Sequence, residues 1–173
     1  LTLAVADRAM LHADNAYLLP HARIESHRLR TNMCSATAYR GFGGPQGVIV
    51  AERMIEEIAY ALGRDPYEIR RKNLYRNGQL TPYHQPVEDQ ILPRIFQELE
   101  TDCDYHARRQ AVLDWNAKAG VIRKGIALTP VKFGISFTAT WFNQAGSLIH
   151  VYSDGSISLN HGGTEMGQGL NTK

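Results

Sequence analysis

The chain has 173 residues and a mass of 19.4 kDa, the size of one domain, long enough to bury about 70% of the surface its unfolded form exposes. Hydrophobic residues make up 43% and charged residues 21%, which argues against a disordered, collagen-like or disulfide-scaffold chain, and no apolar run approaches the ~18 residues of a membrane span. Lysine and arginine number 19 against 17 acidic residues, a net charge of +2 too small to point to nucleic acid, and Cys34 and Cys103 lie apart, without zinc-site spacing, as suits a reducing compartment.

Leu3, Ala6, Met10, Ala13 and Tyr17 recur at steps of three and four and predict an amphipathic first helix, with Arg8 off that apolar stripe beside His12 and Asn15. Leu18-Leu19-Pro20 ends the periodicity, and residues 21 to 37 read as an extended stretch closing in a small-residue loop. In Arg40-Gly41-Phe42-Gly43-Gly44-Pro45 the glycines permit positive φ or close backbone approach. Pro45 then opens a helix carried by Val48, Ala51, Ile55, Ile58 and Leu62 to Gly63. The N-terminus of that helix favours an anionic ligand, while a plain glycine turn capping a helix is the blander reading.

Asp65-Pro66-Tyr67-Glu68 combines an N-cap acid, a proline at N1 and a glutamate at N3, and predicts a short helix carried by Ile69 and Leu74 to Asn77-Gly78. Residues 79 to 90 read as loop. Leu92, Ile95, Leu99 and Cys103, then Ala107, Ala111 and Trp115, predict two helices, or one broken near Asp102 to Asp104. After Gly120 the composition turns towards β-formers. Ile126 to Phe137, with Pro130 and Gly134 inside it, predicts a bent or edge strand, and Ser147 to Tyr152 and Ser156 to Asn160 flank Asp154-Gly155 as a hairpin. The fold class expected is α+β, a mainly helical part over residues 1–121 and a β-rich part over 122–173. The first helix has no capping residue ahead of it, and the chain stops at Lys173, just past the glycine-rich run from Gly162 to Gly169. A piece of a longer protein is therefore expected.

Single motifs carry little chemistry. The seven histidines, among them His150 in the hairpin, show no HxxxH or HExxH spacing, there is no GxSxG, and neither glycine loop matches the dinucleotide fingerprint. Taken together the motifs are more specific. Thr31-Asn32 is followed by Thr37-Ala38-Tyr39-Arg40-Gly41-Phe42-Gly43-Gly44-Pro45-Gln46-Gly47 and Arg70-Arg71-Lys72-Asn73-Leu74-Tyr75. Then come Lys132-Phe133-Gly134-Ile135-Ser136-Phe137-Thr138, Asn143-Gln144-Ala145-Gly146 and the stretch from His161 to Gly169. This series, in this order and over nearly the whole chain, resembles the molybdenum-binding subunit of the xanthine dehydrogenase family.

The resemblance implies a molybdenum hydroxylase that places water-derived oxygen on hypoxanthine or xanthine towards urate, acting in the cytoplasm. It implies a molybdenum–molybdopterin cofactor whose metal is held by the pterin dithiolene, which accounts for a metalloenzyme segment without a metal-ligand motif. FAD, iron–sulfur clusters and NAD then belong to other parts of the complete enzyme. The partners implied are a purine substrate, the rest of the molybdenum subunit and the FAD/iron–sulfur subunit or domain, with no nucleic acid and no membrane.

By the same resemblance, Arg40 and Gly41 match a loop beside the molybdenum, and Gly167 and Gln168 a loop that hydrogen-bonds the pterin. Phe42 and Phe137 match two aromatics that hold the substrate ring between them, and Thr138 a hydroxyl at the substrate. Arg8 matches an arginine that contacts the purine oxygen and is typically absent from members that oxidise aldehydes. Tyr39 departs from the more common phenylalanine. The family's general-base glutamate would lie downstream of residue 173 and a second substrate-contacting glutamate upstream of residue 1. Glu165 sits in a different motif, so no catalytic residue is expected within the chain, which should be inactive alone. The alternatives are a related hydroxylase acting on aldehydes or other N-heterocycles, and a non-catalytic anion-binding or assembly module built on the two glycine loops.

Overall fold

Among the described residues, five α-helices precede one hairpin. In the computed structural model, which describes residues 2–35, 37–135 and 137–172, α1 (Thr2–Met10), α2 (Gly44–Ala61), α3 (Pro66–Asn73), α4 (Leu92–Asp102) and α5 (Tyr105–Lys118) are followed by β1 (Ser147–Val151) and β2 (Ile157–His161). The α+β class expected from the sequence is the one observed. No helix among the described residues is long and apolar enough to cross a membrane.

Local chemistry sets several of these boundaries. Asp65 caps α3 by accepting the Tyr67 amide N–H at 2.9 Å, and Pro66 occupies the first turn, where the missing N–H costs nothing. Glu68 does not close a capping box; its carboxylate takes Arg64 instead, at 2.8 Å. The helix also ends at Asn73, short of the expected Asn77-Gly78, because Leu74 and Tyr75 leave it to bridge back to Tyr17 and Ala16. The break between α4 and α5 falls where expected, with Asp104 at φ 47° as the hinge.

The core forms where α2 and α3 meet the first half of α4 and the start of α5. Ala51, Ile55 and Ala59 supply the buried stripe of α2, and Tyr67, Phe96 and Tyr105 stack into an aromatic cluster, with Tyr67 5.9 Å from Phe96 and 4.8 Å from Tyr105 between centroids. Arg70 crosses from α3 to α2, donating from Nε to Glu52 at 2.7 Å. Of the α4 and α5 stripe read from the sequence, Ile95 and Cys103 are half-buried, but Leu99, Ala107, Ala111 and Trp115 are exposed. The α5 helix anchors mainly by its first residue, Tyr105.

The first helix is turned about relative to its sequence pattern. It ends at Met10, and irregular turns continue to Tyr17; Leu3 is exposed, whereas Arg8, His12, Asp14 and Asn15 are buried. The polar face is inside because of what lies against it. Of the stretch from Ile126 to Phe137 expected as a strand, residues 126 to 135 form no strand and pair with none among the described residues, so their backbone groups need partners from elsewhere. Side chains of the α1 region provide them. Asn15 donates from Nδ2 to the Pro130 carbonyl at 3.0 Å and accepts the Lys132 N–H at 3.0 Å. His12 accepts the Gly134 N–H at 3.1 Å, and Arg8 donates to the Gly134 carbonyl.

The hairpin follows its turn chemistry closely. Strands β1 and β2 are antiparallel with Val151 opposite Ile157, Gly155 takes φ 84°, and the Asp154 carboxylate accepts the Ser156 N–H at 2.9 Å. Nearly all its side chains are exposed on both faces, so it buries no apolar surface within this chain.

Candidate functional site

The glycine loop before α2 is shaped first by packing. Gly41, Phe42 and Gly43 all have positive φ, at 92°, 46° and 100°, and Phe42 is the costly one because its Cβ crowds the following carbonyl. A Cβ on Gly43 would run into the Val5 carbonyl of α1, one on Gly47 into the Ala9 carbonyl, and one on Gly44 would lie 2.6 Å from the Phe133 ring. The backbone thus comes close to helix α1 and to Phe133. Its effect is to turn Arg40, Gly41 and Phe42 outward at the edge of a cavity.

That cavity, of about 860 Å³, is lined by parts of the chain far apart in sequence. Arg8 comes from α1, Arg40, Gly41 and Phe42 from the glycine loop, Phe133 and Phe137 from the extended segment, and Gly167 and Gln168 from the second loop. Seven of the eight site residues named from the sequence meet here. The eighth, Thr138, is half-buried beside Phe137 and is not in the lining, and Ser136 lies outside the described residues. The two loops touch directly: the Arg40 guanidinium rests on Gly167, where a Cβ would collide with it, and Gly167 has φ 98°.

Phe42 and Phe137 meet edge to face, 5.1 Å between centroids at 61°. A sandwich, as expected from the sequence, needs parallel rings about 7 Å apart, twice the ~3.5 Å carbon contact distance. The rings instead form a corner that offers a flat heterocycle one face and one edge. Arg8 stands near them with its guanidinium 4.8 Å from the Phe133 centroid, buried enough that desolvation lowers its pKa, though an arginine stays protonated. None of the described lining residues is acidic while two are guanidinium groups, so an anionic cofactor and a planar, carbonyl-bearing ring both suit this lining.

The second loop is held by its own side chains. Glu165 accepts the N–H groups of Gly167 at 2.5 Å, Gly169 at 3.2 Å and Asn171 at 3.2 Å, and these backbone donors hold its carboxyl below the ordinary range. A carboxylate so engaged organises a loop and is poorly suited to act as a base. Gln168 accepts the Met166 N–H at 2.6 Å and donates to the Thr164 carbonyl at 2.7 Å, so its amide shapes the loop that lines the cavity.

A buried polar network that the sequence pattern concealed ties the residues after α1 to α2, Tyr75, Tyr83 and Lys132. Asp14 accepts Tyr75 Oη–H at 2.7 Å and Lys132 Nζ at 2.5 Å, and Lys132 also reaches Tyr83 Oη at 3.0 Å. Asn15 and Tyr17 both donate to Glu52, at 2.8 and 2.5 Å. Burial pushes the Tyr17 and Tyr75 phenols upward, reinforced by the carboxylates they donate to. The signal that could have revealed the network is the polar spacing Arg8, His12, Asn15 on one helix face, together with an extended stretch too broken by Pro130 and Gly134 for ordinary sheet pairing.

Comparison with known proteins places this arrangement in a family. Residues 1–74 and residues 98–173 each match a molybdopterin cofactor-binding domain model. The chain is 47% identical over its full length to a xanthine dehydrogenase/oxidase of Gallus gallus and 46% identical to that of Felis catus, and spans 13% of the length of each. An aldehyde oxidoreductase structure from Desulfovibrio desulfuricans superposes with a TM-score of 0.64 over 90% of this chain and 16% of its own, at 23% identity, a likeness of fold. Two family matches that between them take in both glycine loops, both rings of the aromatic corner and both arginines place the chain in the molybdopterin cofactor-binding domain family, and along its whole length it is similar to a segment of xanthine dehydrogenases.

Proposed function

We propose that this chain forms part of the cofactor and substrate pocket of a xanthine dehydrogenase that hydroxylates hypoxanthine and xanthine in the cytoplasm, with FAD, iron–sulfur clusters and NAD bound elsewhere in the complete enzyme. The observation that carries this reading is the convergence of Arg8, Arg40, Phe42, Phe137 and Gln168 on one cavity free of acidic lining among its described residues. When bound, the molybdenum cofactor supplies the two-electron redox chemistry. The chain's own residues bind and orient. Arg40 and the backbone at Gly41 and Gly167 cradle the anionic pterin. The Phe42 and Phe137 corner fixes the plane of the heterocycle, since neither ring can move a proton. Arg8 places positive charge where a purine oxygen gains negative charge during attack on the ring. The proton-abstracting group is supplied from outside this chain.

Arg8 distinguishes a purine from an aldehyde, because the purine carries a ring oxygen away from the reacting carbon, on which negative charge can develop and be stabilised. A charge-assisted hydrogen bond is worth ~1.5–3 kcal/mol, or roughly ten- to more than a hundredfold in rate. Arg8 also donates to Gly134, so Arg8→Met in the complete enzyme should slow every substrate somewhat. The diagnostic quantity is the ratio: xanthine kcat/KM should fall at least about tenfold further than aromatic aldehyde kcat/KM. Equal losses on both would remove Arg8 from the substrate pocket.

A further inference from the structure

Gly134 is gripped at both ends of its peptide environment by two side chains of the α1 region spaced four residues apart. Arg8 donates to its carbonyl, and His12 Nε2 accepts its N–H at 3.1 Å. The other ring nitrogen of His12 is 2.8 Å from the Arg8 carbonyl, so Nδ1 carries the hydrogen and Nε2 is left as the acceptor. The imidazole is 3% exposed and lies 5.5 Å from the Phe133 ring, on which the Arg8 guanidinium also rests. Three residues beyond Gly134 comes Phe137, one wall of the aromatic corner. We propose that His12 is a positioning residue: by holding Gly134, three residues before Phe137, against the helix bearing Arg8, it sets the distance between the charge and the ring that grip the substrate.

This rests on the purine-pocket reading above but needs nothing from the cofactor. Only neutral His12 can accept from Gly134; a protonated ring would turn a second N–H on the amide. The charged groups around the ring are Arg8 on α1, Asp14 just past it and Lys132 on the facing segment; desolvation first, then the two cations, outweighs the hydrogen bond to the Arg8 carbonyl and the Asp14 charge and keeps the pKa below the ordinary 6.5. The clamp is therefore intact at pH 7 and is lost as pH falls through that lowered value.

The test uses the complete enzyme with His12→Leu, which removes both bonds, and His12→Gln, whose side-chain carbonyl can still accept from Gly134. In His12→Leu, xanthine kcat should drop about ten- to a hundredfold with KM little changed, since the loss is one of alignment. His12→Gln should recover most of that rate and lose the acid limb that His12 protonation gives the parent enzyme. Amide hydrogen exchange at Gly134 should be slow in the parent and in His12→Gln and fast in His12→Leu. Normal xanthine kcat in His12→Leu despite fast exchange at Gly134 would overturn the proposal, as would slow exchange in that variant. If the pocket reading itself were wrong, Arg8→Met would leave the xanthine-to-aldehyde ratio unchanged whatever the His12 variants did, so the two failures are separable.

Discussion

Replacing Asn15 by alanine tests whether the inward-facing polar side chains of α1 and the turns after it hold the fold together. Asn15 is fully buried and satisfies two backbone groups of the extended segment, the Pro130 carbonyl and the Lys132 N–H, each at 3.0 Å. Both are left without partners in Asn15→Ala, and a buried unpaired polar group costs about 1–3 kcal/mol, so the loss from hydrogen bonding alone is about 2–6 kcal/mol. The contact to Glu52 adds little, because Glu52 keeps Tyr17 and Arg70. Asn15 also has φ 44°, a left-handed conformation that asparagine tolerates and alanine does not, worth about 1–2 kcal/mol. Asn15→Gly removes the same hydrogen bonds without that strain; after its larger unfolded-state entropy is counted, it should be about 0.5–1 kcal/mol more stable than Asn15→Ala. Urea unfolding followed by circular dichroism measures both. A domain with total stability of about 5–15 kcal/mol would show the alanine variant as a large fall in midpoint. If Asn15→Ala stayed within about 0.5 kcal/mol of the parent, the range of an ordinary surface change, the side-chain ladder to residues 130–134 would not be what holds that segment.

Two further outcomes are expected. Phe42→Ala in the complete enzyme should lower xanthine kcat/KM about ten- to a hundredfold while molybdenum content, measured by elemental analysis, stays near the parent's, because the substitution takes one wall from the aromatic corner and leaves Gly41, Gly167 and Arg40 in place. The second concerns pH. The Glu165 carboxyl is depressed below its ordinary 4.5 by the loop N–H groups, so its contribution to loop order is complete above 4.5 and is lost as pH falls through the lower folded value. Limited proteolysis between Gly162 and Asn171 should accelerate on acidification across that range, and Glu165→Gln should cleave rapidly at neutral pH as well.

How much of this was legible in the sequence depended on the range of the interaction. The Asp154-Gly155 turn and the Asp65-Pro66 cap act within a few residues, and both elements stand where they were expected. In the first helix the apolar stripe is only partly inside: Tyr17 is buried and Ala6, Met10 and Ala13 half-buried, but Leu3 is exposed and the polar side is buried too. Its inner face is set by a segment more than a hundred residues away whose unpaired backbone calls for polar partners, so Arg8, His12 and Asn15 face inward and Leu3 does not. A shorter but still non-local contact hid the end of α3, which Tyr17 draws off through Leu74. Arg40 and Gly167 could be marked as site residues from family resemblance. Their direct contact, and the edge-to-face setting of Phe42 and Phe137 in place of a sandwich, depend on loop paths that no local propensity specifies.

The measurement that bears most directly on the cavity as a purine site is a crystal structure of the complete enzyme with xanthine or a slowly turning-over purine bound. The expected result is electron density for the purine against the Phe42 and Phe137 corner, with a ring oxygen at hydrogen-bond distance, ~2.7–3.2 Å, from the Arg8 guanidinium. Purine density elsewhere, with Arg8, Phe42 and Phe137 untouched by it, would contradict the account.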